Sequence, residues 1–397
     1  MLQQQNAWLR PSHLLTQIDG VLGFYHRHAI RDTGGFYQQL NVQGEPGQDD
    51  VHHLVSSARI VVNFARGMLL FNKPEYAATV RHGLDFIAQH HRWPDGQGYH
   101  WLLQDGKAQD SDQYCYGYGF LMLAYANALQ AGISAAGPLL EQTFVLMNRY
   151  FWQPQYGLYA DQLSVDLQTL HGYRGQNANM HACEAMLAAY EATGDNKYLQ
   201  RAQLLAHNIV VRNTQTTKGL LWEHYTDKWQ IDWDYNKDDP QNLYKPWGYQ
   251  AGHFTEWTKL LLILYRHSPQ PWLLQRAQEL MDSALKHSWD NHHNGLLYGF
   301  DPDGQVCDEH KYFWVQAETL AAMAWLMKYL DNQAYQAPFA ELANYIEAHF
   351  VVPNEHIWYR LLNRQNQAVD QWIALPGAKC DYHNVGACYD ILRSLKA

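Results

Sequence analysis

The sequence predicts an all-α fold, an (α/α)6 barrel with short β-hairpins at the active-site mouth. Two observations carry this expectation. A three-part unit recurs six times along the 397 residues, at intervals of roughly 60–70 residues, longer than an ordinary solenoid repeat. Within each unit a charged amphipathic segment alternates with a charge-poor apolar one, the pattern of an outer helix followed by an inner helix.

The amphipathic segments lie at 14–29, 76–91, 138–151, 197–212, 272–289 and 335–350. LLTQIDGVLGFYHRHA and KYLQRAQLLAHNIVVR show the rule: apolar residues at three- and four-residue steps with polar residues between, a helix with one wet face. Each is followed by a short aromatic stretch, often opened by Gly: GGFYQQL, QGYHWLL, YGLYADQL, KGLLWEHY, NGLLYGF and EHIWYRLL. These read as short strands or hairpins. The third part is small and apolar, as in YGFLMLAYANAL (118–129), NANMHACEAMLAAY (177–190) and FWVQAETLAAMAWLM (313–327). Helices this poor in charge are covered on most sides. No Pro-, Ser- or Gly-rich linker divides the chain, so residues 1–397 are expected to form one catalytic domain.

Aromatic residues make up 14% of the chain, with 15 Trp and 27 Tyr, more than a core requires. An aromatic-lined cleft for flat apolar faces such as those of sugars is the expectation. The net charge of −10 and the absence of Lys/Arg runs argue against nucleic acid and anionic membrane as partners. The start, MLQQQNAWLRPSHLL, has no basic-then-apolar leader, and no apolar run spans a bilayer, so a cytoplasmic protein is expected. Five cysteines without a CxxC pair are expected to be reduced, mostly core thiols.

If each hairpin leads into an inner helix, residues at the inner-helix starts meet at one mouth. Those starts supply Arg59, Tyr114 with Tyr116, Asn177 with Asn179 and His181, His253 with Glu256, Trp314 with Glu318, and Asp381 with His383. Three of the six carry a histidine in nearly the same register, which no packing rule requires. HACE (181–184) and HFTE (253–256) add a carboxylate one helical turn on, placed to orient the ring or to meet substrate. His26, His28, His52, His53, His90 and His91 are expected at the surface or in hairpins. There is no HExxH, phosphate loop or dinucleotide fingerprint, so neither metal nor cofactor is expected. Histidine suits proton transfer near neutral pH. Two facing imidazoles with amides, an Arg and aromatics suggest proton abstraction beside a sugar carbonyl. Asn177, Asn179 and Arg59 are expected to hydrogen-bond the sugar, and Trp314 and Tyr114 to pack on its carbon skeleton.

YRGQNANMHACEA (173–185), DYNKDDP (234–240), GHFTEW (252–257) and DYH (381–383) resemble the N-acylglucosamine 2-epimerase superfamily, especially its aldose–ketose isomerase branch. That resemblance implies a monosaccharide substrate and a metal-independent reaction: ring opening, then proton transfer through a cis-enediol. The branch interconverts mannose and fructose, with lyxose/xylulose and talose/tagatose as related pairs. It further implies His383 as the base moving the proton between C2 and C1, and His253 as its acid–base partner and ring opener. Arg59, Tyr114, Asn177, His181, Glu256 and Arg360 match positions that hold substrate. One departure is visible: where this branch carries an arginine before the GH motif, this chain reads NLYKPWGYQ, with Leu243 near that place and Lys245 the nearby cation. A sugar 2-epimerase is the alternative within the superfamily. An (α/α)6 glycoside hydrolase using two of Glu223, Asp234, Glu256 and Glu318, and a non-catalytic sugar-binding protein, are alternatives outside it.

Overall fold

The computed structural model describes residues 6–242, 244–330, 333–377 and 380–396. Twelve α-helices run through them: α1 (Pro11–His28), α2 (Leu54–Leu70), α3 (Pro74–Phe86), α4 (Cys115–Gln130), α5 (Ala136–Phe151) and α6 (Gln176–Thr193), then α7 (Asn196–His207), α8 (Ala251–His267), α9 (Pro271–Ser288), α10 (Phe313–Tyr329), α11 (Gln336–His349) and α12 (Tyr382–Lys396). The even-numbered helices touch in the order α2, α4, α6, α8, α10, α12 and back to α2, a closed inner ring. The odd-numbered helices pack outside it. The alternation matches the sequence pattern, and the architecture is an (α/α)6 barrel.

Local chemistry explains the boundaries. Pro11, Pro74 and Pro271 open α1, α3 and α9, where the missing N–H costs nothing and φ is already helical. Gly194 closes α6 at φ 71°, its N–H returned to the Tyr190 carbonyl, a left-handed cap that a side chain would strain. The inner helices α4 and α10 bury residues on nearly every side, so neither has a distinct wet face.

The aromatic stretches do not simply fold back on themselves. A short strand before each inner helix pairs antiparallel with a strand of the next repeat. Val51–His53 pairs with Leu102–Gln104, and Gln113–Tyr114 with Gln162–Leu163. Arg174–Gly175 meets His224–Tyr225, Tyr249–Gln250 meets Gly299–Phe300, and Lys311–Tyr312 meets Leu361–Leu362. Trp372–Ala374, ahead of α12, pairs with Leu40–Asn41 of the first repeat and closes the circle. The strand ring thus fixes the level at which all six inner helices begin.

Among the described residues no helix is long and apolar enough to cross a membrane. All five cysteines are free thiols, four of them buried and Cys307 half-buried. Of the peripheral histidines, His90 is exposed, His26 and His28 are half-buried, and His52 and His53 sit in a paired short strand; His52, His53 and His91 are nonetheless buried. His53 Nδ1 caps α2 by accepting from the Val55 N–H, and His91 Nδ1 bonds the His100 carbonyl at 2.8 Å. Burial holds His53 and His91 far below the ordinary imidazole range, at about 3 each, so they serve as neutral hydrogen-bonding rings.

Candidate active site

The inner-helix starts surround a cavity of about 520 Å³. Arg59 from α2, Tyr114 and Tyr116 at the start of α4, Asn177 and His181 from α6, His253 and Glu256 from α8, Trp314 from α10 and His383 from α12 all line it. Its rim is loop and hairpin, including Trp101, Asp161, Tyr173, Tyr244 and Lys245.

Three imidazoles share one arrangement: Nδ1 is bound to a buried glutamate. His181 Nδ1 lies 2.9 Å from Glu184 Oε2, and His383 Nδ1 lies 2.8 Å from Glu318 Oε1. His253 Nδ1 is 3.0 Å from each oxygen of Glu223. A carboxylate on Nδ1 holds the proton there and leaves Nε2 as the basic atom. Trp314 stands between two of these rings, its centroid 5.2 Å from that of His253 and 5.6 Å from that of His383. Gly252 makes this possible, because a Cβ there would come within 2.3 Å of the Trp314 ring. Burial drives the His383 pKa well below the usual imidazole value, reinforced by Arg59, His181 and Lys259. Burial also lowers His181, against the opposing pull of Glu184.

Arg59 is 1% exposed, donates to Tyr116 Oη at 3.1 Å and lies over the faces of Phe120 and Tyr382. Burial works against its charge, yet Tyr116, Cys380, Tyr382 and Glu256 raise its pKa, and it stays a cation. Glu256 is buried with neither carboxyl oxygen hydrogen-bonded. Burial, then the nearby Glu318, lifts its pKa well above the carboxylate range, which favours the neutral form able to donate. Tyr114 stacks on Trp101 and donates to Asp110 Oδ2 at 2.9 Å. At the rim Lys245 Nζ sits 4.0 Å from the Tyr173 ring centroid, and burial lowers its pKa. Leu243 lies outside the described residues. Burial pushes Asp161 up to about 7 while it accepts the Gly175 N–H.

Several expected site residues lie elsewhere. The Asn179 amide accepts from Tyr159 N–H at 2.8 Å and donates to the carbonyls of Tyr159 and Gly175, so it ties α6 to a hairpin instead of meeting ligand. Asn177, two residues earlier, faces the cavity with its Oδ1 unpartnered. Asp381 accepts from Tyr25, Asn384 and the Trp358 N–H, anchoring the start of α12. Arg360 donates to Asp370 and is not among the cavity-lining residues. Glu318 serves His383 and does not line the cavity. The HACE pairing holds within its helix, but the HFTE pairing does not: His253 turns to Glu223, and Glu256 points toward His181, 3.9 Å away.

Glu223 and Gln176 were the residues sequence reasoning passed over as orienting groups. Gln176 donates to Glu223 Oε2 at 2.8 Å and accepts from Trp257 Nε1 at 2.8 Å. A signal existed, since the WEHY of KGLLWEHY places a charge in a stretch that is otherwise apolar and aromatic. Two groups, His181/Glu184/Glu256 and Glu256/Glu318/His383, bring potential ligand atoms within 4.8 Å of one another. In each, the histidine Nδ1 and one glutamate are already committed to each other.

A barrel of this kind with paired histidines and aromatics at its mouth is a sugar-processing architecture. The family model for N-acylglucosamine 2-epimerase (GlcNAc 2-epimerase) matches residues 35–387, and the chain belongs to that family. A D-mannose isomerase of Marinomonas mediterranea is 45% identical over 384 residues, covering 96% of this chain and 97% of the relative. Another D-mannose isomerase, from Thermobifida fusca, is 31% identical and covers 73% and 72%. A crystal structure of D-mannose isomerase superposes with a TM-score of 0.93 at 44% identity, covering 96% of this chain and 97% of that one. The cellobiose 2-epimerase of Spirochaeta thermophila shares the fold, with a TM-score of 0.85 at 20% identity and coverage of 97% and 96%.

The two asparagines separate in a stability measurement. Asn179→Ala strands buried backbone groups and should cost ~1–3 kcal/mol in urea unfolding. Asn177→Ala removes an oxygen with no protein partner and should stay within ~0.5 kcal/mol of the parent.

Proposed function

We propose that this chain is a metal-independent aldose–ketose isomerase interconverting D-mannose and D-fructose. The carrying observation is the matched pair His253 and His383, each with Nδ1 fixed by a buried glutamate and both packed on one indole. The 45% identity to a D-mannose isomerase over nearly the whole chain supports the same reading. D-Lyxose and D-talose share the C2 and C3 configuration of mannose and are the natural further substrates.

The steps follow from the groups present. His253, held by Glu223, assists ring opening by moving a proton between the ring oxygen and the anomeric hydroxyl. His383 Nε2 then takes the C2 proton of the open aldose, and the C2–H electron pair forms the C1=C2 bond of a cis-enediolate. Arg59 meets the developing negative charge on oxygen through charge-assisted hydrogen bonds. Glu256, as a neutral acid, donates to a substrate oxygen. Asn177, Tyr114, His181 and Trp314 hold the hydroxyls and the carbon skeleton. Return of the proton from His383 to C1, while His253 takes the O2 proton and delivers one to O1, completes the ketose. These side chains carry each proton in turn, and no step calls on a metal ion. The hydrolase reading keeps only Glu256 of its four carboxylates and so has no pair: Glu223 and Glu318 are bound to histidines and Asp234 is exposed.

Incubation with mannose should yield fructose, resolved by chromatography, at an unchanged rate after EDTA treatment. A 2-epimer as the main product overturns the isomerase reading, and activity lost to EDTA and restored by zinc or manganese overturns the metal-free one.

His383→Asn removes the base while keeping a similar shape and should lower kcat by about 10²–10⁴-fold with sugar still bound. His253→Asn should be less harmful on aldoses with a larger open-chain fraction. C2 proton exchange in D2O, followed by NMR, reverses the two roles if it persists in His383→Asn and is lost in His253→Asn.

His383 must be neutral to act. Because its folded pKa lies well below the ordinary value, the active form survives acidification, and activity falls only as pH drops through that lowered pKa. The acid limb of kcat/KM should therefore lie below about pH 6.5. A limb above pH 7 in the pH–rate profile contradicts this assignment.

A further inference from the structure

The charged groups beneath the cavity take no part in the steps above, yet they join the base from below. His253, Glu256 and Lys259 follow at three-residue spacing on one face of α8, so Lys259 lies about 9 Å deeper than His253 along the helix. Lys259 is 3% exposed. Its Nζ is 2.5 Å from Glu318 Oε2 and 3.5 Å from Asp390 Oδ2. The other oxygen of Glu318 holds His383 Nδ1 at 2.8 Å. One carboxylate from α10 thus links a cation on α8 to the imidazole on α12. On the far side lies a void of about 30 Å³, bordered by Lys259, Arg66, Glu184 and Asp390, room for about one water.

We propose that Lys259 is a positioning residue for the proton transfer: its charge keeps Glu318 ionised, so that Glu318 accepts from His383 Nδ1–H and leaves Nε2 free as the base. This rests on the isomerase reading of the site. A carboxylate buried without a cation takes up a proton. Protonated Glu318 donates to Nδ1, the ring proton moves to Nε2, and the base is gone. If the extra proton settles on the ring instead, the result is the same imidazolium-blocked site. The pair titrates as a unit, and one added proton disables it wherever it resides.

The surroundings make the cation matter. Glu318 from α10, Asp390 from α12 and Glu184 from α6 hold Lys259 charged against the cost of burial, with the Glu256 carboxyl group of α8 beside them. Arg59 from α2, His181 and Glu184 from α6, and Lys259 act on His383. Removing Lys259 leaves Glu318 near the carboxyl groups of Glu184 and Glu256 without its cation, and that favours proton uptake.

The test is the pH dependence of C2 proton exchange and of kcat/KM on mannose, from about pH 5 to about pH 10, with folding checked by near-UV circular dichroism. K259M should move the acid limb from below about pH 6.5 up to about pH 8, lose about tenfold near pH 7, and recover toward the parent rate in alkali. K259R should restore the parent limb. In an E318Q background, K259M should move the limb no further. An unmoved limb in folded K259M overturns the proposal, as does a loss equal at every pH. Should K259M fail to fold, D390N decides: it leaves Lys259 to Glu318, so the limb should move to lower pH, and a limb that stays or rises overturns the proposal. A parent protein that exchanges the C2 proton but forms an epimer overturns the isomerase reading alone. No exchange in the parent overturns both.

Discussion

The hydrogen bond from each cavity imidazole to a buried glutamate organises the molecule from the mouth of the barrel inward. A neutral histidine has two tautomers of similar energy, and only one presents a basic Nε2 to the ligand. The carboxylate on Nδ1 selects that tautomer, but a carboxylate in a dry interior needs compensation of its own. For Glu223 the compensation is the Gln176 amide, itself held by the Trp257 indole. For Glu318 it is Lys259, and for Glu184 it includes the Tyr382 hydroxyl at 2.6 Å. Much of the polar interior exists to keep three rings in one protonation pattern.

That network runs both within repeats and between them. Glu223 reaches α8 from the strand segment paired beside α6, and Lys259 on α8 reaches Glu318 on α10, which reaches His383 on α12. The His181–Glu184 and His253–Glu223 pairs each lie within one repeat, whereas His383 takes its glutamate from the repeat before. The closed ring of strand pairs is therefore more than a decoration of the loops. It sets the relative height of the six helices, and an error of one helical turn between neighbours, about 5 Å, would break every one of these bonds.

The barrel was legible in the sequence because its cause is local: an amphipathic helix and a charge-poor helix advertise their burial by composition, six times over. The histidine register was legible for the same reason, since equivalent positions in repeats arrive at one level. What could not be read was direction. Asn177 and Asn179 are the same residue two positions apart, but a helix rotates by about 200° over that spacing, so one meets the cavity and the other a hairpin backbone. HFTE has the spacing of an intrahelical pair, but His253 projects toward the strand segment that precedes its own helix and finds Glu223 first, while Glu256 descends a turn to the crowded axis. Arg360 matched a substrate-holding position by resemblance, and a local ion pair with Asp370 took its fork. Such partnerships are decided by contacts 10 to 30 residues away in the chain, across the strand segments, which helical periodicity does not encode.

The division between helical floor and looped rim has an evolutionary meaning. The acid–base groups ride on helices whose positions are fixed by the ring, whereas Trp101, Tyr173, Tyr244 and Lys245 belong to connecting segments or short strand edges. Connections tolerate substitution and changes of length far better than packed elements do. Selection can therefore recut the outline of the opening, and with it the outline of the admitted sugar, while the proton-handling machinery beneath is inherited unchanged.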